Sequence, residues 1–323
     1  MSTVQRALAV GLGAALLQVL MVIAFAWPAA DIAPRDLPLA VAGPQAGAVA
    51  GTLAAADPNA FEIITVTDAA AARTAITNRE VYGAIVTGDG PPRMLVASGA
   101  SPAVAQQLTR IGQQLSGVPV ARAEDVVPAD TDDPRGIAFG VMVLPLVMAG
   151  IAAGVLLTVV IPTVGGAVLG LVTFGVVGGL LSMTIVQGWL SVLPGPYPVL
   201  AAVAGLVSFA VAGSVAGLAA VFGRVGLGVA ALTMLLIGNP LSAATSAPEL
   251  LPQPWGAIGQ LLPPGAAASL LRSVAFFDGA AAAAPLTVLA GWAVAALALF
   301  GIAALRGART EVAAPAEDPL PVG

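Results

Sequence analysis

The sequence predicts a polytopic α-helical membrane protein with six transmembrane helices and a small α/β extracytoplasmic domain between the first and second of them. Three observations lead to this fold class. Residues 136–248 contain a single charged side chain, Arg224. Of the 323 residues, 58% are hydrophobic and 9% are charged, whereas about a quarter of the residues in a soluble domain are charged. Residues 28–135, by contrast, carry charges at ordinary density. The chain is therefore too apolar for a soluble globule outside this one stretch.

The apolar part of the chain divides into lengths that fit a bilayer. A membrane-spanning helix needs about 20 apolar residues, because the hydrocarbon core is about 30 Å thick. The four-helix block 136–241 provides four such lengths, predicted at 137–161, 167–186, 199–221 and 225–241. Residues 1–27 form an N-terminal anchor and 286–305 the sixth span. We interpret the first run as an anchor rather than a cleaved signal peptide, since it is long enough to span and ends in Trp27-Pro28.

Residues 28–135 have the pattern of a folded α/β domain. Strands are predicted at Leu37–Ala42, Phe61–Val66, 81–87 and 93–98, and helices at 45–56, 69–78 and 103–115. Asp68 is the expected N-cap of the second helix. The order of elements predicts a small sandwich that folds on its own. Residues 121–133 are acidic, and we interpret them as a solvated linker, with a calcium site as the alternative.

The remaining segments are rich in proline. Residues 242–285 are predicted to form an extracytoplasmic interfacial segment of short helices, because proline interrupts any longer helix there. Trp255, Phe276 and Phe277 are expected at the depth of the lipid headgroups. Residues 306–323 are expected to be a disordered cytoplasmic tail.

Positive charges predict the orientation of the chain. If six spans alternate, Arg6, Arg224 and Arg306 all fall on one side of the membrane. Short cytoplasmic segments are enriched in Arg and Lys, so both termini are predicted to be cytoplasmic. The absence of Lys and the heavy use of Ala, Gly and Val indicate a bacterial chain, which places the protein in the plasma (inner) membrane.

Several function classes are disfavoured by residues that the chain lacks. It has no Cys and no His, and we predict no catalytic, cofactor-binding or metal site. A net charge of −5 argues against a nucleic-acid partner. Without Lys there is no phosphate-binding loop, so any ATP-derived energy must come from another chain. The predicted spans of the four-helix block contain no ionisable group, which disfavours ion-coupled transport.

Small and polar residues within the spans carry two further interpretations. Pairs of glycines spaced four apart indicate close helix packing within the bundle rather than a dimer face; they are Gly150/Gly154, Gly166/Gly170, Gly175/Gly179 and Gly213/Gly217. Most polar side chains there are expected to form internal hydrogen bonds. The candidates for lining a transport pathway are Ser208, Ser214 and Asn239.

Two stretches carry a family resemblance. The first runs from Asp68 as Asp-Ala-Ala-Ala-Ala-Arg-Thr-Ala-Ile and leads into Arg79-Glu80-Val81-Tyr82-Gly83-Ala84-Ile85-Val86. The second runs from Gly238-Asn239-Pro240-Leu241 through Leu261-Leu262-Pro263-Pro264-Gly265 to Leu271-Arg272. With one span, a polar domain and five further spans, the chain resembles membrane subunits of type-2 ABC transporters, in the branch that includes the bacterial phage infection protein. The resemblance implies a permease half that pairs with itself or a similar subunit. A separate cytoplasmic ATPase would drive it to export a substrate.

A second function remains open. Only short segments are predicted to face the cytoplasm, and the candidates for contact with an ATPase are Arg224, Pro162 and Gly165. The alternative is a non-transporting membrane protein that displays the extracytoplasmic domain, in an envelope, secretion-accessory or phage-receptor-like role. Both functions share membrane lipid as a partner.

Overall fold

The structure is a computed structural model, and it describes residues 2–116 and 123–312. The chain begins with helix α1, Thr3–Ala30, which is exposed along nearly its whole length. Ser2 and Gln5 form a capping box at its start. The helix extends three residues beyond the anchor predicted at residues 1–27.

An α/β domain (residues 31–135) follows α1. Its strands are β1 Leu37–Ala42, β2 Phe61–Val66, β3 Gly83–Val86, β4 Arg93–Val96 and β5 Glu124–Asp125, and its helices are α2 Ala46–Ala56, α3 Ala69–Thr77 and α4 Pro102–Ser116. The sheet has the order β2-β1-β3-β4-β5. Strand β1 pairs in parallel with β2 and β3, the β3–β4 pair is antiparallel, and β5 is parallel to β4.

The two faces of this sheet have separate cores, as the alternation of side chains along a strand requires. Helices α2 and α4 cover one face, where Leu39 and Leu108 are buried. Helix α3 covers the other face, where Ile76 is buried. The predicted bounds of β1 and β2 are confirmed, while β3 and β4 are shorter than predicted. The predicted cap of α3 is also confirmed, since Asp68 accepts from the backbone N–H groups of Ala70 and Ala71 at 2.8 and 2.9 Å.

In the described part of the predicted acidic linker at residues 121–133, Glu124 and Asp125 are exposed, as a solvated segment requires, but the segment is more than a linker because it contributes a strand. Glu124 and Asp125 form β5, and Glu124 is paired with Arg73 at 2.6 Å. Asp125 accepts a hydrogen bond from the backbone N–H of Ser98 at 3.1 Å. Asp133 accepts from the backbone N–H groups at the start of the next helix. These carboxylates are thus bound to protein donors, and β5 is also paired with β4.

Long apolar helices make up the rest of the fold, with two short helices between the last two of them. The bounds are α5 Ile137–Val160, α6 Val164–Met183, α7 Tyr197–Leu232, α8 Trp255–Gln260, α9 Pro263–Phe276 and α10 Ala283–Val312. Wide π-helical turns, Thr184–Trp189 and Thr233–Gly238, continue α6 and α7. Within the described residues, α1, α5, α6, α7 and α10 are long and apolar enough to cross a membrane. The predicted tail at 306–323 is helical up to Val312, and residues 313–323 lie outside the described residues.

Helix α7 is broken, which bears on the prediction of six spans. Gly223 has φ +63° and ψ −143°, so the helix cannot continue straight through it. Leu218 and Gly226 would lie about 12 Å apart along a straight helix. Yet a Cβ on Gly226 would lie 2.1 Å from the carbonyl oxygen of Leu218. The chain therefore folds back at Gly223. The two helices predicted at 199–221 and 225–241 are the two arms of one apolar stretch, Tyr197–Gly238.

The first arm of α7 lies at the centre of the bundle, in contact with α5, α6 and α10. The glycine pairs make these contacts close. A Cβ on Gly154 would lie 2.7 Å from the carbonyl oxygen of Ala212, and one on Gly213 would lie 2.9 Å from the Cβ of Ala296. All four pairs contact other parts of the same chain. Gly150/Gly154 lie against Val211, Ala212 and Val215, and Gly166/Gly170 against Leu157, Ile161 and Thr163. Gly175/Gly179 lie against Ala201 and Gly205, and Gly213/Gly217 against Ala296 and Leu299. These contacts confirm the interpretation of the pairs as internal packing.

The short helices predicted within residues 242–285 are present as α8 and α9, but α9 is not exposed as an interfacial helix would be. Nearly all of its residues are buried between the bundle and the α/β domain. Phe277, which follows α9, is 6% exposed and belongs to the core under α3. Phe276 packs against Gly99 of the α/β domain and Phe139 of α5. Of the three aromatic residues predicted at headgroup depth, only Trp255 is exposed, at the edge of Trp27.

Candidate functional site

A cavity of about 490 Å³ lies between α5, α6, α7 and α9, at the end of the bundle that carries the α/β domain. Its volume falls in the range of about 300–1,000 Å³ that is typical of ligand pockets. Its walls are mostly apolar, as Phe139, Met142 and Leu146 illustrate. Val141 and Ile185, which also line it, are about half exposed. The cavity therefore opens onto the apolar outer surface of the bundle.

Local sequence features explain why space exists here. Pro145 of α5 lines the cavity, and its nitrogen cannot donate the usual helical hydrogen bond to the carbonyl of Val141. The π-helical turn Thr184–Trp189 widens the facing end of α6. Gly178 of α6 has no side chain and Ala149 of α5 has only a methyl group, so neither fills the cavity that it lines. Together these features separate α5 from α6 at the end of the bundle near the α/β domain.

Arg272 of α9 places a cation in the wall of this cavity. Its side chain is 5% exposed, and it donates from Nη2 to the carbonyl oxygen of Ala244 at 3.0 Å. The guanidinium lies 4.6 Å above the ring of Phe139. It forms no ion pair within the described residues. Burial, with repulsion from Arg79, lowers the pKa of Arg272 to about 10. The side chain therefore remains charged at neutral pH.

Two hydroxyl groups also line the cavity, those of Ser182 and Ser208. Ser208 is only 2% exposed, and neither hydroxyl has a hydrogen-bond partner among the described residues. The structure thus places one predicted pathway residue, Ser208, in the cavity wall. Ser214 instead donates to the carbonyl oxygen of Ala210 on its own helix at 2.6 Å. Asn239 is buried away from the cavity.

Carboxylates border the cavity at its α/β end. Asp133 accepts from the backbone N–H groups of Ile137 and Phe139 at 2.8 and 2.9 Å, one on each carboxylate oxygen. It therefore caps α5, where the helix dipole favours a negative charge. Asp130 accepts from the backbone N–H of Asp132 at 2.9 Å. Both acids take part in local backbone hydrogen bonds.

A second cavity, of about 760 Å³, lies between α9, the α/β domain and the stretch before α8. Its lining is more polar than that of the first cavity and includes Arg79, Tyr82, Glu249 and Arg272. The Tyr82 hydroxyl donates to Glu249 Oε2 at 2.8 Å, and burial together with this carboxylate raises the pKa of Tyr82. Burial lowers the pKa of Arg79, which donates to the carbonyl oxygen of Ser269 at 3.0 Å. Arg272 borders both cavities and so stands between an apolar and a polar compartment.

The predicted ATPase contacts lie at the opposite end of the bundle. Pro162 and Gly165, in and beside the turn between α5 and α6, are exposed, as is Arg224 beside the Gly223 break. Arg306 of α10 is held at the same end, where it donates to the carbonyl oxygen of Val221 at 3.3 Å. None of these residues lines the cavity.

Sequence reasoning missed Arg272 as a site residue. The signal available was its isolation, since it is the one basic residue between positions 225 and 305 and lies among Ala, Leu and Ser. The calcium alternative gains no support, because the described residues contain no cluster of acidic side chains suited to a metal ion.

Comparison with protein-family models, curated proteins and solved structures gives no match for this chain. The class rests on the fold itself: a mostly helical, multi-pass membrane protein with a small five-stranded domain.

Proposed function

We propose that this chain is the membrane-spanning permease subunit of an ABC-type exporter, energised by a separate ATPase. The observation that carries the proposal is the cavity within the bundle, which opens onto the apolar surface and contains a buried cation. A carrier needs a binding cavity between its helices, whereas a simple anchor does not. The protein would work in a bacterial plasma membrane, paired with a second copy or a related permease subunit.

Backbone contacts support the six-span topology that this function requires. The Ala33 N–H donates to the Leu250 carbonyl at 3.1 Å, and the Arg35 N–H donates to the Glu249 carbonyl at 2.9 Å. Residues before β1 and residues after α7 therefore lie on the same side. An even number of crossings must separate them. Helices α5, α6 and the two arms of α7 would supply four crossings, and α1 and α10 would bring the number to six. Both termini would then be cytoplasmic, as the distribution of Arg predicts.

Cysteine labelling tests this topology, since the chain has no Cys of its own. Thr67→Cys in the α/β domain and Ser191→Cys after α6 are expected to react with an impermeant thiol reagent on intact spheroplasts. Thr163→Cys and Val225→Cys should react only after permeabilisation. All four positions are exposed, so access depends on the side of the membrane. Equal labelling of Thr163→Cys and Ser191→Cys from outside would contradict six spans.

We expect energy coupling to come from outside the chain. The predicted spans of the four-helix block contain no charged residue, and the chain has no phosphate-binding loop. Among the residues whose exposure the structure describes, Arg224 is an exposed charged side chain beside the Gly223 break, at the end opposite the α/β domain. An ATPase would therefore bind a small surface that includes Arg224, Pro162 and Gly165.

Purification from native membranes after crosslinking tests the proposal. We expect an ATPase to copurify with the chain, and Arg224→Ala to reduce its recovery about tenfold, equivalent to roughly 1.4 kcal/mol. Arg93→Ala is the matched control, because Arg93 is an exposed arginine of the α/β domain. Recovery of the chain without any ATPase, where a known ABC complex from the same membranes survives, would refute the proposal.

One observation favours the alternative of a displayed domain. The α/β domain is fixed to the segment around α9 by Arg79, which donates to Ser269 and Ser273 and lies 5.1 Å above the ring of Phe277. Such a rigid mount suits presentation to a partner. The displayed-domain function leaves the bundle cavity without a role, so we rank it second. The purification experiment distinguishes the two functions.

A further inference from the structure

The bundle cavity combines features that define one kind of ligand. Its walls are apolar and its rim includes exposed apolar side chains, so a molecule dissolved in a membrane can reach it sideways. One cation, Arg272, stands in the wall, at the boundary with the polar second cavity. A ligand that matches both needs an apolar tail and a polar head.

The charge of Arg272 determines the sign of that head. A buried guanidinium carries a large desolvation cost unless hydrogen bonds and an opposite charge compensate it. Here it has one carbonyl, that of Ala244, and the face of the Phe139 ring. Its other N–H groups make no hydrogen bond within the described residues. They remain available to an acceptor, and the guanidinium fork suits two oxygens of one anion.

The neighbouring charges do not neutralise Arg272. Glu249 is bound to Tyr82, and Arg79 in the same polar cavity adds a second positive charge. Asp133 and Asp130, which also line the apolar cavity, accept from backbone N–H groups and form no ion pair with Arg272. An anionic head therefore finds, in Arg272, a buried cation without an ion-pair partner among the described residues.

We propose that this cavity binds an amphiphile with an anionic phosphate or carboxylate head, whose head contacts Arg272 and whose tail lies along α5 and α6. The Ser182 and Ser208 hydroxyls offer further hydrogen bonds on the same wall. This inference rests on the proposed exporter in naming its substrate class. Binding itself needs no ATPase. If no ATPase copurifies with the chain, the exporter proposal is refuted, but the proposed binding site can still be tested and confirmed.

The test measures lipid binding to the full-length protein in phosphatidylcholine nanodiscs by native mass spectrometry. The probes are phosphatidic acid, diacylglycerol with the same chains, and inorganic phosphate. We expect phosphatidic acid to bind about tenfold more than diacylglycerol, and Arg272→Gln to remove that difference. Arg93→Gln, at an exposed arginine of β4, should leave it unchanged. Inorganic phosphate alone should bind weakly, because it has no tail to occupy the apolar walls.

A second variant covers the case in which Arg272→Gln does not fold. Ala149→Phe fills the cavity from α5 and leaves Arg272 in place, so it should also remove binding of phosphatidic acid. Undiminished binding in either folded variant would overturn the inference. So would equal binding of diacylglycerol and phosphatidic acid, or binding of inorganic phosphate as tight as that of the lipid.

Discussion

Gly179→Ala is expected to destabilise the helical bundle, while Gly178→Ala is tolerated. A Cβ on Gly179 would lie 2.3 Å from the carbonyl oxygen of Ala201 and 2.7 Å from the nitrogen of Gly205. Both are backbone atoms of α7, so α6 and α7 must move apart to admit even one methyl group. Overpacking of this kind costs about 1–3 kcal/mol, and occasionally more. We expect a lower melting temperature and less monodisperse protein in detergent.

Gly178 provides the matched control, because it is the next residue of the same helix. The nearest atom to a Cβ there is a ring carbon of Phe174 at 3.7 Å, which is ordinary van der Waals contact. Alanine should be neutral at that position or slightly stabilising. Gly179→Leu should abolish folding altogether. Equal melting temperatures for the two alanine variants would show that α6 and α7 are not packed as closely as described.

Hydrophobic patterns were sufficient for most elements of the fold. The strands Leu37–Ala42 and Phe61–Val66 were predictable because each is a short run, apolar in the first and rich in β-branched residues in the second, and because Gly43-Pro44 and Asp68 follow them. The break at Gly223 was predictable because Arg224 interrupts an apolar stretch too long for one span. Helix α9 was misjudged for a physical reason: apolarity along a sequence does not distinguish contact with lipid from contact with protein. Its run of Pro, Gly and Ala makes a slender helix that inserts between other elements.

The candidate site was less predictable than the fold. Ser208, Ser214 and Asn239 are all polar residues in apolar surroundings, and sequence alone gave no means of ranking them. Only the geometry separates Ser208, which lines the cavity, from Ser214, whose hydroxyl bonds to its own helix. Arg272 and Phe139 meet although they are far apart in the chain. The cavity is lined by residues from five separate stretches of the sequence, and no local sequence pattern predicts that these stretches come together.

Leu250→Ala is expected to loosen the α/β domain, although Leu250 lies outside it in sequence. Leu250 and Ala247 belong to the same buried cluster as Leu39 and Leu108. Truncating a buried leucine costs about 2–5 kcal/mol, a large share of the stability of a small domain. Hydrogen exchange of β1 and α4 should therefore accelerate in the full-length variant. Leu261→Ala is the control, since that side chain is 63% exposed.

The same variant tests whether the α/β domain is independent of the membrane part, as its sequence predicts. Unchanged exchange in β1 and α4 would mean that the domain core is complete without Leu250. Faster exchange, together with an unchanged melting profile for Leu261→Ala, would mean that the two parts share a core. Phe277 fills the opposite face in the same way. Leu250 precedes α9 in the chain, Phe277 follows it, and each is buried against a different face of the sheet. A movement of α9 would therefore change the packing on both faces of the sheet.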